Sequence, residues 1–155
     1  MANYTGANVI TTSDVLKYQP DAFDFGISTT ATETTNFLAQ TTNDILRQLR
    51  VEWWPVYKTN IFTDITVLNT AEMVNTKVNL DQFERAGVYL FLGRFYLPAL
   101  TKFRPETEKD RFERMAEYYM GQYNIEWRMI LEDGVEYDVD DSGTIVANER
   151  EPLHG

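Results

Sequence analysis

The longest apolar stretch of the chain runs from Asn79 to Leu100, NLDQFERAGVYLFLGRFYLPAL, within a sequence that is otherwise acidic and rich in threonine. Phe83, Ala86, Gly87, Leu90, Phe91, Arg94 and Phe95 fall on one helical face, and Val88, Tyr89, Leu92 and Tyr96 widen the apolar surface most of the way round. A helix apolar on most sides is a central one, so the pattern predicts a core helix against which the rest of the chain packs. Its start is marked by Asn79 as a cap, Asp81 at the positive helix end and Gln82 three residues on. Pro98 marks its approximate end. Arg94 breaks the apolar face and needs a carboxylate or solvent.

Ahead of this stretch, residues 1 to 10 carry no pattern, and TTSDVLKY predicts a short helix capped by Thr11 or Thr12 that stops before Pro20. Phe23, Phe25 and Ile27 alternate in the segment from Pro20 to Thr30, which reads as an extended connector packing aromatic side chains on the domain. A capping box, Thr30 with Glu33, opens a second helix to about Trp53 that carries Thr34, Leu38, Ile45, Leu49 and Trp53 on one face and ends near Pro55. From Val56 to Thr76 there is no sustained alternation, so an extended loop is expected, with at most a short strand near Asp64 to Leu68.

Beyond the central helix, the short connection TKFR favours an antiparallel neighbour. Pro105 sits in its first turn and Glu106, Glu108 and Asp110 at its positive end. Phe112, Met115, Ala116, Tyr119, Met120, Tyr123, Trp127, Ile130 and Leu131 recur mainly at spacings of three and four, which carries the helix to about Leu131, short of Gly134. The period then changes to two around an Asp-Asp-Ser-Gly turn, predicting a β-hairpin with strands near Val135 to Val139 and Thr144 to Ala147. The expected fold is therefore mainly α: a helical bundle of three main helices plus a short N-terminal helix, with a C-terminal β-hairpin and extended tail. A chain of 155 residues suits a single domain over residues 1–155, with its core at about 12–131 and the hairpin and tail at about 135–155.

Composition narrows the chemistry. With no cysteine and a lone His154 at the extreme end, a disulfide framework, cysteine-ligated zinc and most histidine-based catalysis are excluded. The start, MANYTGANVITT, has neither a basic region nor an apolar run, so no secretory signal is expected. Residues 88 to 100 fall short of the roughly 20 needed to cross a bilayer, so no membrane partner is expected and the protein should be soluble and made in a cytoplasm. The formal net charge of −10 repels nucleic-acid backbones. Such a charge serves solubility, and it also suits a channel through which DNA must slide without sticking.

Asp138, Asp140, Ser142 and Glu149, with Gly143 and Ile145, occupy the positions of an EF-hand calcium loop. The context argues for a plain turn instead, because Asp133-Gly134 breaks the incoming helix and Pro152 discourages an outgoing one. Trp53, Trp54 and Tyr57 form an aromatic group in which consecutive residues point about 100° apart on a helix, which leaves one tryptophan to face a partner. Tyr137, Ile145, Val146 and Leu153 of the hairpin and tail join them as candidate interface residues. Paired acids such as Glu106 with Asp110 have nothing nearby to desolvate them, no serine sits beside a histidine, and no glycine-rich phosphate loop is present. Neither an enzyme nor a cofactor is expected.

Taken in order, VITTSDVLKY, the long helix with TTNDILRQLRVEWWP, the helical hairpin from Asn79 to Leu131 and the terminal VEYDVDDSGTIVANEREPLHG resemble the head-tail connector (adaptor) proteins of tailed bacteriophages. The resemblance covers most of the chain as a layout and rests on no signature motif. It implies a structural virion protein of the phage neck, a homo-oligomeric ring of a dozen or so copies that joins the portal to tail-side neck or terminator proteins and lines the DNA passage without sequence-specific binding. It also implies that the isolated chain can stay monomeric until the portal is present. Two alternatives stand beside it: a tail-terminator or stopper of the same neck, for which a mainly β architecture is the discriminating finding, and a non-phage helical binding module with a calcium-loop-like hairpin.

Overall fold

The structure, a computed structural model, describes residues 8–62, 64–102 and 104–139. It is mainly helical, in the order α1 (Thr12–Tyr18), α2 (Thr32–Gln48), α3 (Trp54–Ile61), α4 (Ile65–Thr70), α5 (Glu84–Leu90), α6 (Leu97–Leu100) and α7 (Glu106–Asp133). The residues group into two compact units, each assembled from separated stretches of chain. One, the bundle unit, comprises Asn8–Thr42 and Phe83–Trp127; the other, the aromatic unit, takes Asn43–Gln82 and the chain from Arg128.

In the bundle unit the expected central helix is central. Ala86, Gly87, Val88, Leu90, Phe91, Leu92, Gly93, Tyr96, Leu97 and Leu100 are all buried, while Arg94, the cation on this greasy helix, is exposed. Short α1 forms where its sequence places it. Thr11 and Asp14 make a reciprocal capping box, the Thr11 N–H donating to Asp14 Oδ2 at 2.9 Å, and Val15 is fully buried. The connector is not extended throughout, since Ala22–Asp24 forms a 3-10 turn, but its aromatic side chains do pack on the domain: Phe23 lies edge-on to Tyr96 at 5.1 Å, Phe25 edge-on to Phe112 at 5.2 Å, and the Ile27 carbonyl accepts from the Tyr96 hydroxyl. The buried Thr41 and Thr42 satisfy their hydroxyls by donating to the Phe37 and Leu38 carbonyls one turn back, at 2.8 and 3.2 Å.

Pro55, expected to end the second helix, does not, whereas Pro98 marks the end of the central one to within a turn, at Leu100. Leu49–Trp53 and Phe91–Tyr96 are π-type stretches, in which the Trp54 N–H reaches the Leu49 carbonyl and the Leu97 N–H reaches the Leu92 carbonyl, five residues back. Pro55 and Pro98 follow at once, in the first turns of α3 and α6. A proline inside an α-helix collides with the carbonyl four residues before it, and the wider turn relieves that collision, so the chain keeps its helical course to Ile61 and to Leu100.

The segment from Val56 to Thr76 also differs from the extended loop expected. It holds α3 and α4, and where a strand was expected near Asp64 to Leu68 the Asp64 side chain caps α4 by accepting from the Thr66 N–H at 2.9 Å. A local cap outweighs the β preference of Ile65, Thr66 and Val67. The first strand of the predicted hairpin is likewise absent, and no strand occurs among the described residues. Tyr137 makes a single antiparallel bridge to Val78 instead of pairing within a hairpin. The remainder of that prediction, from Asp140 through Ala147 and the tail, lies outside the described residues.

Candidate functional site

The sequence-predicted aromatic group is a core, not a face. Trp53, Trp54, Tyr57 and Tyr137 are 0%, 4%, 2% and 3% exposed. Trp53 stacks on Tyr57 with ring centroids 4.3 Å apart, and Tyr137 tilts against Trp54 at 5.2 Å and against Trp53 and Tyr57 at 5.7 Å each. Both tryptophans turn inward because Trp53 closes the π stretch, where the 100° step between neighbours no longer holds. Each such ring pair contributes about 0.5–1.5 kcal/mol beyond the area it buries. The expectation of one outward-facing tryptophan is thereby corrected.

Tyr137 reaches this cluster because its segment is tied down on both sides. The Asn79 N–H donates to the Glu136 carbonyl at 3.1 Å and the Asp138 N–H to the Lys77 carbonyl at 2.9 Å. Side chains complete the seam: the Asn79 amide donates to the Glu136 carboxylate, Gln82 Nε2 donates to the Gly134 carbonyl at 2.8 Å, and Gln82 Oε1 accepts from the Glu136 N–H at 3.0 Å. Lys77 Nζ donates to the Val139 carbonyl at 3.0 Å, and the Val74 N–H donates to the Tyr137 hydroxyl at 3.1 Å. Burial pushes the Tyr137 phenol above its ordinary pKa, against the pull of that Val74 N–H.

Asn79 does cap, accepting from the Asp81 N–H at 3.2 Å, but Gln82 serves the seam instead of the expected capping box. Sequence reasoning missed the seam. Its one legible signal was a pair of amide residues, Asn79 and Gln82, at the head of an apolar helix.

Of the calcium-loop positions, Asp138 is fully buried beside Lys77 and Val139; Asp140, Ser142 and Glu149 lie outside the described residues, as do the interface candidates Ile145, Val146 and Leu153. Among the described residues no three His, Cys, Asp or Glu side chains gather as metal ligands, and no described helix is long and apolar enough to cross a membrane. The bundle unit holds a cavity of about 740 Å³ lined by Phe25, Ile27, Phe37, Leu100, Lys102 and Arg104, among others. Its carboxylates are the exposed Glu33 and Glu108, the latter 3.4 Å from Arg104.

The seam and the ring cluster brace the aromatic unit internally and leave α4 outside its core. No residue of α4 is buried. Comparison of the chain with protein-family models, with curated proteins and with solved structures finds no match.

Proposed function

We propose that this chain is a structural protein of the tailed-phage neck, an adaptor that assembles as a ring of a dozen or so copies between the portal and the tail-side proteins, around the DNA passage. The observation that carries the reading is the order of its elements. A short capped helix α1 precedes a long helix that continues through Trp53, Trp54 and Pro55, and the helical pair α5–α6 and α7 follows with only a short turn between. Mainly helical architecture favours the adaptor over a stopper or terminator, for which a mainly β fold was the expectation. A net charge of −10 suits a passage that DNA slides through, since the chain as a whole repels the phosphate backbone. In this reading the sequence beyond Val139, with the candidate interface residues Ile145, Val146 and Leu153, contacts the portal or a neighbouring copy.

The test is reconstitution. Portal-bearing heads from a phage encoding this sequence, made without this protein, are mixed with the purified chain, and the portal complexes are weighed by native mass spectrometry. The expected result is an integral number of 18.0 kDa chains on each portal ring. A chain that stays free of its own portal overturns the proposal.

A further inference from the structure

At about 740 Å³, the cavity of the bundle unit has the size of a ligand pocket, about 300–1,000 Å³. Phe25, Ile27 and Phe37 reach it half-buried and Leu100 lies buried in its wall, so side chains that already pack on the core keep an apolar face toward the space. These side chains are held from behind. Phe25 lies edge-on to Phe112, Phe37 stacks on Phe95 at 5.9 Å, and the Ile27 carbonyl takes the Tyr96 hydroxyl. An apolar wall ordered in advance lowers the cost of docking on it.

Charged side chains of both signs line the same space: Glu33, Glu108, Lys102 and Arg104. Arg104 and Glu108 serve each other, Nη1 lying 3.4 Å from Oε2, and the guanidinium rests over the Phe112 ring at 5.7 Å. It has room there because residue 26 is a glycine at a φ of 125°: a Cβ on Gly26 would come within 3.0 Å of Arg104 Nη2. Glu33 and Lys102 are exposed, and among the described residues neither has an oppositely charged partner. An apolar wall, one closed ion pair and two open charges of opposite sign are what a ligand has to match.

We infer that this cavity docks an extended peptide segment of a partner protein, one that carries large apolar side chains beside one acidic and one basic residue. Charge complementarity selects that occupant. The acid of such a segment answers Lys102, its base answers Glu33, and its apolar side chains cover Phe25, Ile27 and Phe37. A fatty acid or other anionic amphiphile has no group to offer Glu33, and nucleic acid meets two carboxylates on a chain at −10. A wholly basic segment is opposed by Lys102 and Arg104. The site stands whether or not the chain belongs to a phage neck.

The experiment is calorimetric titration of the full chain, at about 0.05 M salt, with acetylated and amidated tetrapeptides. The probes are Lys-Leu-Phe-Glu and its reverse Glu-Phe-Leu-Lys, the like-charged Lys-Leu-Phe-Lys and Glu-Leu-Phe-Glu, and Lys-Ser-Ser-Glu, which lacks the apolar pair. At least one mixed-charge apolar peptide is expected to bind one to one with a Kd below about 1 mM, and the other three classes at least about threefold more weakly. Lys102→Glu makes both open charges acidic and should move the preference to Lys-Leu-Phe-Lys. Lys58→Glu, the same change in net charge outside the cavity, should leave the order as it is in the wild type. Lys102 is exposed, so the variant should melt with the wild type, and Lys102→Gln gives the same comparison if it does not. The inference is overturned if neither mixed-charge apolar peptide binds, if the serine peptide binds as tightly, or if the wild type prefers the dibasic peptide. It is overturned equally if Lys102→Glu and Lys58→Glu respond alike, or if dodecanoate binds more tightly than every peptide. Portal binding without peptide binding sinks the docking site and leaves the adaptor reading standing; peptide binding without portal binding does the reverse.

Discussion

At the scale of single residues, Tyr137 has the most to lose. It joins the ring cluster of Trp53, Trp54 and Tyr57 to the seam that holds its own segment, and its hydroxyl takes the Val74 N–H. Tyr137→Ala is expected to cost about 3–5 kcal/mol in denaturant unfolding, the range for emptying a large aromatic from a core. Tyr137→Phe keeps the ring and should cost about 1 kcal/mol, since the exposed Val74 can return its N–H to water. A second expectation follows from the phenols as a set. Burial, reinforced by the Asp24 carboxylate, holds Tyr96 up to about 12, and burial also raises Tyr119 and Tyr137. A folded-state pKa above the unfolded value of 10.0 stabilises fully below that pH and is lost as pH rises through the folded value. Stability should therefore fall from pH 10.0 toward about 12, with tyrosinate absorbance appearing as the chain unfolds, and Tyr96→Phe should flatten that fall. Equal slopes for wild type and Tyr96→Phe would remove the link.

At the scale of elements, two glycines on either side of one helix contact make opposite predictions. A Cβ on Gly93, in the buried π stretch, would lie 2.9 Å from both the backbone nitrogen and Cγ of Met120, whereas one on Gly121 of α7 meets nothing within 4 Å. Gly93→Ala should destabilise by about 1–3 kcal/mol, as overpacking does, and Gly121→Ala should stabilise by about 1 kcal/mol through helix propensity. Thermal melts of the two variants moving in the same direction would contradict this account of the contact. The same elements show what could be read in advance. Helix α7 was legible because its apolar residues repeat at three and four over many turns, and α1 because Thr11 and Asp14 stand at capping spacing. The passage of α2 into α3 was not, because proline is normally a stop and the wider turn that admits it leaves no compositional mark. Nor was α4, where β-branched residues pointed one way and a single capping aspartate decided the other.

At the scale of the whole molecule, each unit is assembled from stretches far apart in sequence, so no composition shift could mark where one ends and the other begins. The tie between residues 77–79 and 136–138 belongs to the same kind of information: it joins positions nearly 60 apart, which no local period encodes. Charge, by contrast, is fully legible, and it sets the sign of the last prediction. A protein that binds nucleic acid through phosphate contacts loses affinity as salt rises, because each contact releases counterions. A chain at −10 gives such contacts little to form with, so its retention on immobilised DNA should stay negligible from 0.01 M salt, where the Debye length is about 30 Å, to physiological strength, where it is about 8 Å. Retention that appears at low salt and is lost as salt rises would mean that a local cationic surface outweighs the net charge.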